Sequence, residues 1–316
     1  MTQAISLVER AAAWSPSRPA ASHRTRTGPL VVVSGRAGVA RGALHVAELL
    51  ARRDRVNAHV VGLLRPVEVP RWVLDATDAG ALQEGVRRQR RGRLRQEVHA
   101  TVGRSALFST EVLVGDSIRT LREAALARGA EHVLVGLDDP NTPDRIRDER
   151  VVFQLARILD RPVIAVPRGC TALPTRALVA VDGGPAGERA ARAAARVLAP
   201  GGTLTLAATE RDAAERVERI ADAIRGVGDA TVRTETLRGD PAAALPERAR
   251  AQACDLVACG VGDDSADGPS RLEGAVAALL GGASGMVLLA PPADAARSRL
   301  TARARDDDAF DSRTTT

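Results

Sequence analysis

Few residues in this chain of 316 have the type and spacing that enzymatic chemistry needs. All 45 basic residues are arginines, so neither a P-loop lysine nor a Schiff-base lysine can be built. The five histidines all precede residue 133 and no two have a metal-ligand spacing, and the nucleophile sequence Gly-x-Ser-x-Gly is absent. We therefore expect no catalytic residue and no metal site, and the sequence predicts that the chain is not an enzyme.

The composition bears on compartment and partners. The three cysteines, Cys170, Cys254 and Cys259, are an odd number without the spacing of a disulfide framework, which favours a reducing compartment such as the cytoplasm. No stretch approaches the ~20 apolar residues of a membrane span. Aromatic residues are 2% of the chain, so bases have little to stack on and nucleic acid is a disfavoured partner.

The strongest charge run is an arginine-rich segment at residues 87–95, which contains six arginines. One interpretation is that this segment binds nucleic-acid phosphates or an anionic membrane surface. The interpretation that we favour is a solvated helix face, because an unbroken helix scatters these charges around its axis and Glu84 and Glu97 lie nearby. Gly92 leaves open a break in that helix after Gln89.

Short apolar runs alternate with helical patterns along the chain, as is typical of a parallel sheet covered on both faces. The runs are Leu30–Val33, Ala58–Leu64, Glu111–Val114, His132–Val135 and Pro162–Val166, followed by Ala177–Val181, Thr203–Ala207, Thr231–Leu237, Asp255–Cys259 and Met286–Ala290.

The two halves of this pattern repeat each other. Gly115 corresponds to Gly239 and Gly136 to Gly260, both at an offset of 124 residues. The first strands are offset by 148, so the first copy has 24 additional residues before Gly115. The sequence thus predicts a disordered start at 1–28, a first domain at 29–167 with an arginine-rich insert at about 71–103, a linker at 168–175, a second domain at 176–291 and a disordered tail at 292–316.

Four landmarks of the second copy resemble the universal stress protein family. The first strand ends in Asp182-Gly183, a Gly239-Asp240-Pro241 turn opens a helix, a strand ends at Gly260, and the last strand ends at Pro291. The resemblance implies two tandem doubly wound α/β domains of the adenine nucleotide alpha hydrolase-like kind, each with a five-stranded parallel sheet. It also implies dimers through the last strand, which one chain would form as an internal pseudo-dimer, with homo-oligomers left open.

ATP-binding members of that family carry G-x2-G-x9-G-S/T after the fourth strand, where backbone N–H groups and a hydroxyl bind phosphate. In the second copy Asp263 replaces the second glycine, and Gly274-Ala275 follows one residue late without the hydroxyl. The first copy has Asp139 after Gly136, and neither later position is glycine. Four residues carry over to a vestigial nucleotide site: Asp182, Gly183, Gly260 and Gly274.

These motifs lead to three hypotheses about function. The first is a binding or regulatory module in stress response, without catalysis and without a bound cofactor. The second is an ATP- or nucleotide-binding protein that uses the second copy alone. The third is a scaffold that meets an anionic partner through the arginine-rich segment.

Overall fold

A computed structural model of the chain describes residues 28–33, 38–64, 79–103, 105–115, 117–140, 142–181, 184–208, 214–227, 229–261, 271–282 and 285–291. The predicted disordered tail at 292–316 lies outside these residues, as does all of the predicted disordered start except residue 28. Asp182, Gly183 and Asp263 lie outside them as well.

Strands and helices alternate through both halves, which we define by their first and last strands. The first half contains β1 (Leu30–Val33), α1 (Arg41–Asp54), β2 (Ala58–Leu64), α2 (Ala79–Val102), β3 (Phe108–Val114), α3 (Ser117–Ala127), β4 (Val133–Leu137), α4 (Pro143–Ile158) and β5 (Val163–Pro167). The second half contains β6 (Arg176–Val181), α5 (Pro185–Val197), β7 (Thr203–Ala208), α6 (Ala214–Ile224), β8 (Thr231–Thr236), α7 (Pro241–Ala251), β9 (Leu256–Gly260), α8 (Arg271–Gly282) and β10 (Met286–Ala290).

The described strands form one sheet in the order β3-β2-β1-β4-β5-β10-β9-β6-β7-β8. Within each half all pairings are parallel, and the two halves have the same strand order. The halves meet where β5 and β10 pair antiparallel, with Ile164 opposite Leu288. The predicted fold class, two doubly wound five-stranded halves with helices on both faces, is confirmed.

Apolar side chains cover both faces of the sheet, as the valine-rich runs predicted. Alternate strand residues point to opposite faces. Val31 belongs to the apolar cluster on the face covered by α1, α2, α5 and α6, and Val32 belongs to the cluster on the face covered by α3, α4, α7 and α8. Because both faces are covered, the central strands β4, β9 and β10 are buried along their whole length.

The arginine-rich segment lies in α2, which is continuous from Ala79 to Val102. The helix does not break after Gln89. Leu94 and Val98, which follow Gly92, are buried against the first half and hold this part of the helix in place. Arg87 Nε donates to the carbonyl oxygen of Val112 in β3, at 3.3 Å. β3 is an edge strand, so part of this segment covers the edge of the sheet.

Among the described helices, none is long and apolar enough to cross a membrane.

Candidate functional site

Ligands of open α/β sheets bind beyond the carboxyl ends of the strands, so a site is expected at these ends. In the first half this edge contains the turn at residues 38–40, Asp138 after β4 and Arg168 after β5. The backbone N–H of Arg168 donates to the carbonyl oxygen of Leu137, at 3.2 Å, which ties the ends of the two strands together.

A carboxylate of the protein itself occupies this edge. The N–H of Gly38 donates to Glu97 Oε1 of α2, at 2.7 Å. Gly38 has a φ of +84°, a conformation that side chains disfavour. Loops between a strand and a helix commonly offer such N–H groups to phosphate oxygens. Here the carboxylate of Glu97, instead of a phosphate oxygen, accepts the N–H of Gly38. The first half therefore presents one fewer donor to an anionic ligand.

A buried charge network centred on Arg145, which is 2% exposed, lies at the same edge beside Asp138. Its guanidinium donates to the carbonyl oxygen of Asp138 at 2.8 Å, to Glu149 Oε1 at 2.9 Å and to the carbonyl oxygen of Leu280 at 2.5 Å. The buried carboxylate of Asp148 accepts from the backbone N–H of Asp138, at 3.3 Å. The network neutralises charge inside the protein and joins the first-half edge to the last turn of α8 in the second half.

Gly260, the first glycine of the family motif, allows close packing of a helix. A Cβ atom built on it would lie 2.6 Å from the carbonyl carbon of Ala186, at the start of α5. Gly136 is the equivalent residue of the first half. A Cβ atom built on it would lie 2.5 Å from the carbonyl oxygen of Val39, which precedes α1. Any side chain would push the helix away, so both glycines have a packing role that needs no ligand.

Gly274 and Ala275 lie in the first two turns of α8, which begins at Arg271. Gly274 is exposed, and the nearest atom to its virtual Cβ is Ala242 Cβ in α7, at 3.7 Å. Ala275 is fully buried in the apolar cluster of that face. A hydroxyl at position 275 would therefore point into the core, so a serine there would not restore a phosphate contact.

The structure assigns the two described site residues to different surroundings. Gly260 packs against α5 on one face of the sheet, and Gly274 packs against α7 on the other. Sequence reasoning missed Arg145, and it treated Glu97 only as a neutralising charge. In the described part of the chain, no group of three or more His, Cys, Asp or Glu residues could hold a metal ion.

One histidine is also buried, next to the junction of the halves. His132 precedes β4 and is 6% exposed. Burial is the main cause that lowers its pKa to about 4, with Arg196 and Arg53 lowering it further and Glu131 and Asp54 opposing them. The ring is therefore neutral at pH 7 and does not act as an exposed acid or base.

Solved structures match this architecture over most of the chain. A universal stress protein from Archaeoglobus fulgidus superposes with a TM-score of 0.59, at 13% identity, over 84% of this chain and 99% of that one. The chain has the universal stress protein fold. A functionally unknown protein from Pseudomonas aeruginosa has a TM-score of 0.50, at 16% identity, over 86% of this chain and 95% of that one.

No protein-family model and no curated protein matches the sequence. The universal stress protein fold is therefore recognised through strand order and helix placement. The fold alone does not identify the function of this chain, because one fold hosts many functions.

Proposed function

We propose that this chain is a non-catalytic binding and regulatory module of the universal stress protein type, with a role in stress response. The family resemblance implies that role, and the shared fold supports it. The described cysteines are unpaired, which fits a reducing compartment, and we place the module in the cytoplasm.

In this proposal the two halves of one chain act as an internal pseudo-dimer. The antiparallel pairing of β5 with β10 supports it, and so do polar contacts between the halves. Arg53 at the end of α1 donates to the carbonyl oxygens of Leu198 at 3.0 Å and Arg196 at 2.5 Å. Arg145 makes the corresponding link to Leu280 between α4 and α8.

The observation that carries the proposal is the contact between Glu97 and the N–H of Gly38. A fixed carboxylate at this edge repels phosphate and takes one of its donors. A regulatory module that works through protein contacts does not need this edge to be open. We therefore assign no nucleotide to the first half.

A second candidate function is nucleotide binding by the second half alone. The observation in its favour is the exposed position of Gly274 in the first turn of α8, where N–H groups and the helix dipole favour anions. The buried Ala275 counts against it, because the hydroxyl of the family motif has no counterpart there.

Calorimetry of the full chain with ATP, AMP and a cyclic dinucleotide tests both candidates. We expect no affinity tighter than ~100 µM, because a missing charge-assisted hydrogen bond alone costs about 10- to 100-fold in affinity. We also expect no phosphate release from ATP. Micromolar binding of ATP at the second-half edge would overturn the first candidate in favour of the second.

Two matched variants then locate any nucleotide that binds. Gly274→Glu places a carboxylate on the first turn of α8, and Gly281→Glu places the same group on its last turn, at an exposed glycine with open space around it. Loss of binding in Gly274→Glu alone would assign the nucleotide to the second-half edge. Equal binding by both variants would assign it elsewhere.

The scaffold hypothesis rests on the arginine-rich segment of α2. Arg87 and Arg95 already donate to β3, to the carbonyl oxygen of Val112 and to Thr110 Oγ1, both at 3.3 Å. The exposed Arg88 and Arg93 remain as contacts for a polyanion. We expect their attraction to fade by physiological ionic strength. Tight binding that persists there, and is lost when both become Gln, would favour the scaffold.

A further inference from the structure

An arginine-lined groove lies between the two halves, and its lining includes neither Gly260 nor Gly274. It has a volume of about 410 Å³, and its walls are α5 of the second half and the segments that precede β4 and β5 in the first. Its charged residues within the described chain are Glu131, Asp160, Arg161, Arg189, Arg192 and Arg196. A second depression of about 910 Å³ shares Glu131, Arg161 and Arg196 with it.

The arginines of this groove converge from both halves. Arg189, Arg192 and Arg196 are three and four residues apart, so they lie on one side of α5. Arg161 comes from the opposite wall, directly before β5. Four guanidinium groups and only two carboxylates therefore line the groove, so the electrostatic potential inside it is positive.

Ion pairs within the protein neutralise the positive charge of these arginines only in part. Arg196 Nη1 donates to Glu131 at 2.8 Å, and Arg192 Nη2 pairs at 2.6 Å with Glu188, which lies outside the groove lining. Both arginine side chains are still more than half exposed, at 56% and 52%. Each guanidinium has five N–H donors and these pairs use only some of them, so donors remain for a ligand.

Arg161 is the least compensated of the four. Its nearest carboxylate is Asp160, with 3.6 Å between Nε and Oδ1, which is longer than a hydrogen bond. Within the described chain, its Nε is the buried side-chain atom that has no hydrogen-bond partner. Buried donors are normally satisfied, so an unmade bond on a cation beside an open groove points to an anionic ligand.

We propose that this groove binds a small phosphate compound, recognised by its doubly charged phosphate group. The planar N–H pairs of arginine match two oxygens of a phosphate, which makes arginine the usual residue for such recognition. A volume of about 410 Å³ lies within the usual range for small-molecule sites, ~300–1,000 Å³. The ligand would contact both halves and hold them together.

A calorimetric titration of the full chain with pyrophosphate tests the proposal. The groove variant combines Arg161→Gln with Arg192→Gln. The matched control combines Arg216→Gln with Arg219→Gln on the exposed side of α6, which removes the same charge outside the groove. We expect binding by the parent and the control, and a loss of at least ~10-fold in the groove variant, because each arginine supplies charge-assisted hydrogen bonds.

Further titrations identify the source of the phosphate. A nucleoside monophosphate and glycerol phosphate test whether an ester is accepted, and sulfate tests whether any tetrahedral dianion suffices. Equal affinities of the parent and the groove variant would overturn the proposal, as would the absence of binding by the parent. Groove-dependent binding of an oligonucleotide without binding of pyrophosphate would overturn it in favour of nucleic acid. Circular dichroism of each variant checks that it is folded.

Discussion

Arg145, in the first turn of α4, donates a hydrogen bond of 2.5 Å to the carbonyl oxygen of Leu280, in the last turn of α8. The two residues are 135 positions apart and belong to different halves. A cation at the carboxyl end of a helix interacts favourably with its free carbonyls and with its dipole. This bond complements the pairing of β5 with β10, so the halves are joined by side chains as well as by the sheet.

Removal of the Arg145 charge is expected to destabilise the whole chain. Arg145→Met removes the ion pair with Glu149 and the donor to the carbonyl oxygens of Asp138 and Leu280, and breaking a buried ion pair of this kind costs about 3 kcal/mol. Urea denaturation measures the change. Arg150→Met on the same helix is the control, because Arg150 is exposed. Equal stability of the two variants would show that the network contributes nothing.

The contact between Glu97 and Gly38 is expected to control the opening of the first-half edge. Glu97→Ala removes the acceptor, so the amide of Gly38 should exchange its hydrogen faster, and the chain should lose about 1 kcal/mol of stability. Hydrogen exchange of the peptide that contains residue 38 is the measurement. Glu84→Ala, an exposed glutamate of the same helix, is the control. Unchanged exchange in Glu97→Ala would contradict our account of this edge.

The sequence predicted the central strands better than the edge strand β3. Valine-rich runs gave the positions of the buried strands, because both of their faces need apolar residues. β3 begins at Phe108, three residues before the predicted Glu111. Ser109 and Thr110 lie on an edge strand that is only partly buried, so no apolar run marks its start.

The charged contacts of the candidate site could not be predicted from local spacing. Glu97 and Gly38 are 59 residues apart, and only the packing of α2 against the first half brings them together. The same packing keeps α2 continuous through Gly92, where intrinsic propensity allowed a break. The roles of Gly136 and Gly260 also depend on the helix that approaches each strand, which a motif search does not see.

We expect His132 to contribute to the pH dependence of the free energy of unfolding. Its folded-state pKa of about 4 lies below the ordinary histidine value of 6.5, so between these pH values the unfolded chain binds a proton that the folded chain does not. The contribution of His132 to stability is complete above pH 6.5 and falls as the pH decreases towards 4, by about 3 kcal/mol over this window. Denaturation series across this range should show a shallower slope for His132→Gln than for the parent. The exposed His99, changed to Gln, should leave the slope unchanged.

A single type of substitution, glycine to alanine, should have opposite effects at Gly92 and at Gly260. Gly92 is an exposed position inside α2 with no atom within 4 Å of its virtual Cβ, so alanine should stabilise the chain by about 0.5–1 kcal/mol. At Gly260 the new Cβ would lie 2.6 Å from Ala186, and the overpacking should cost about 1–3 kcal/mol. Urea denaturation of both variants measures the two signs. A neutral Gly260→Ala would mean that α5 can move aside, and the need for glycine there would then have to come from a ligand that approaches the backbone.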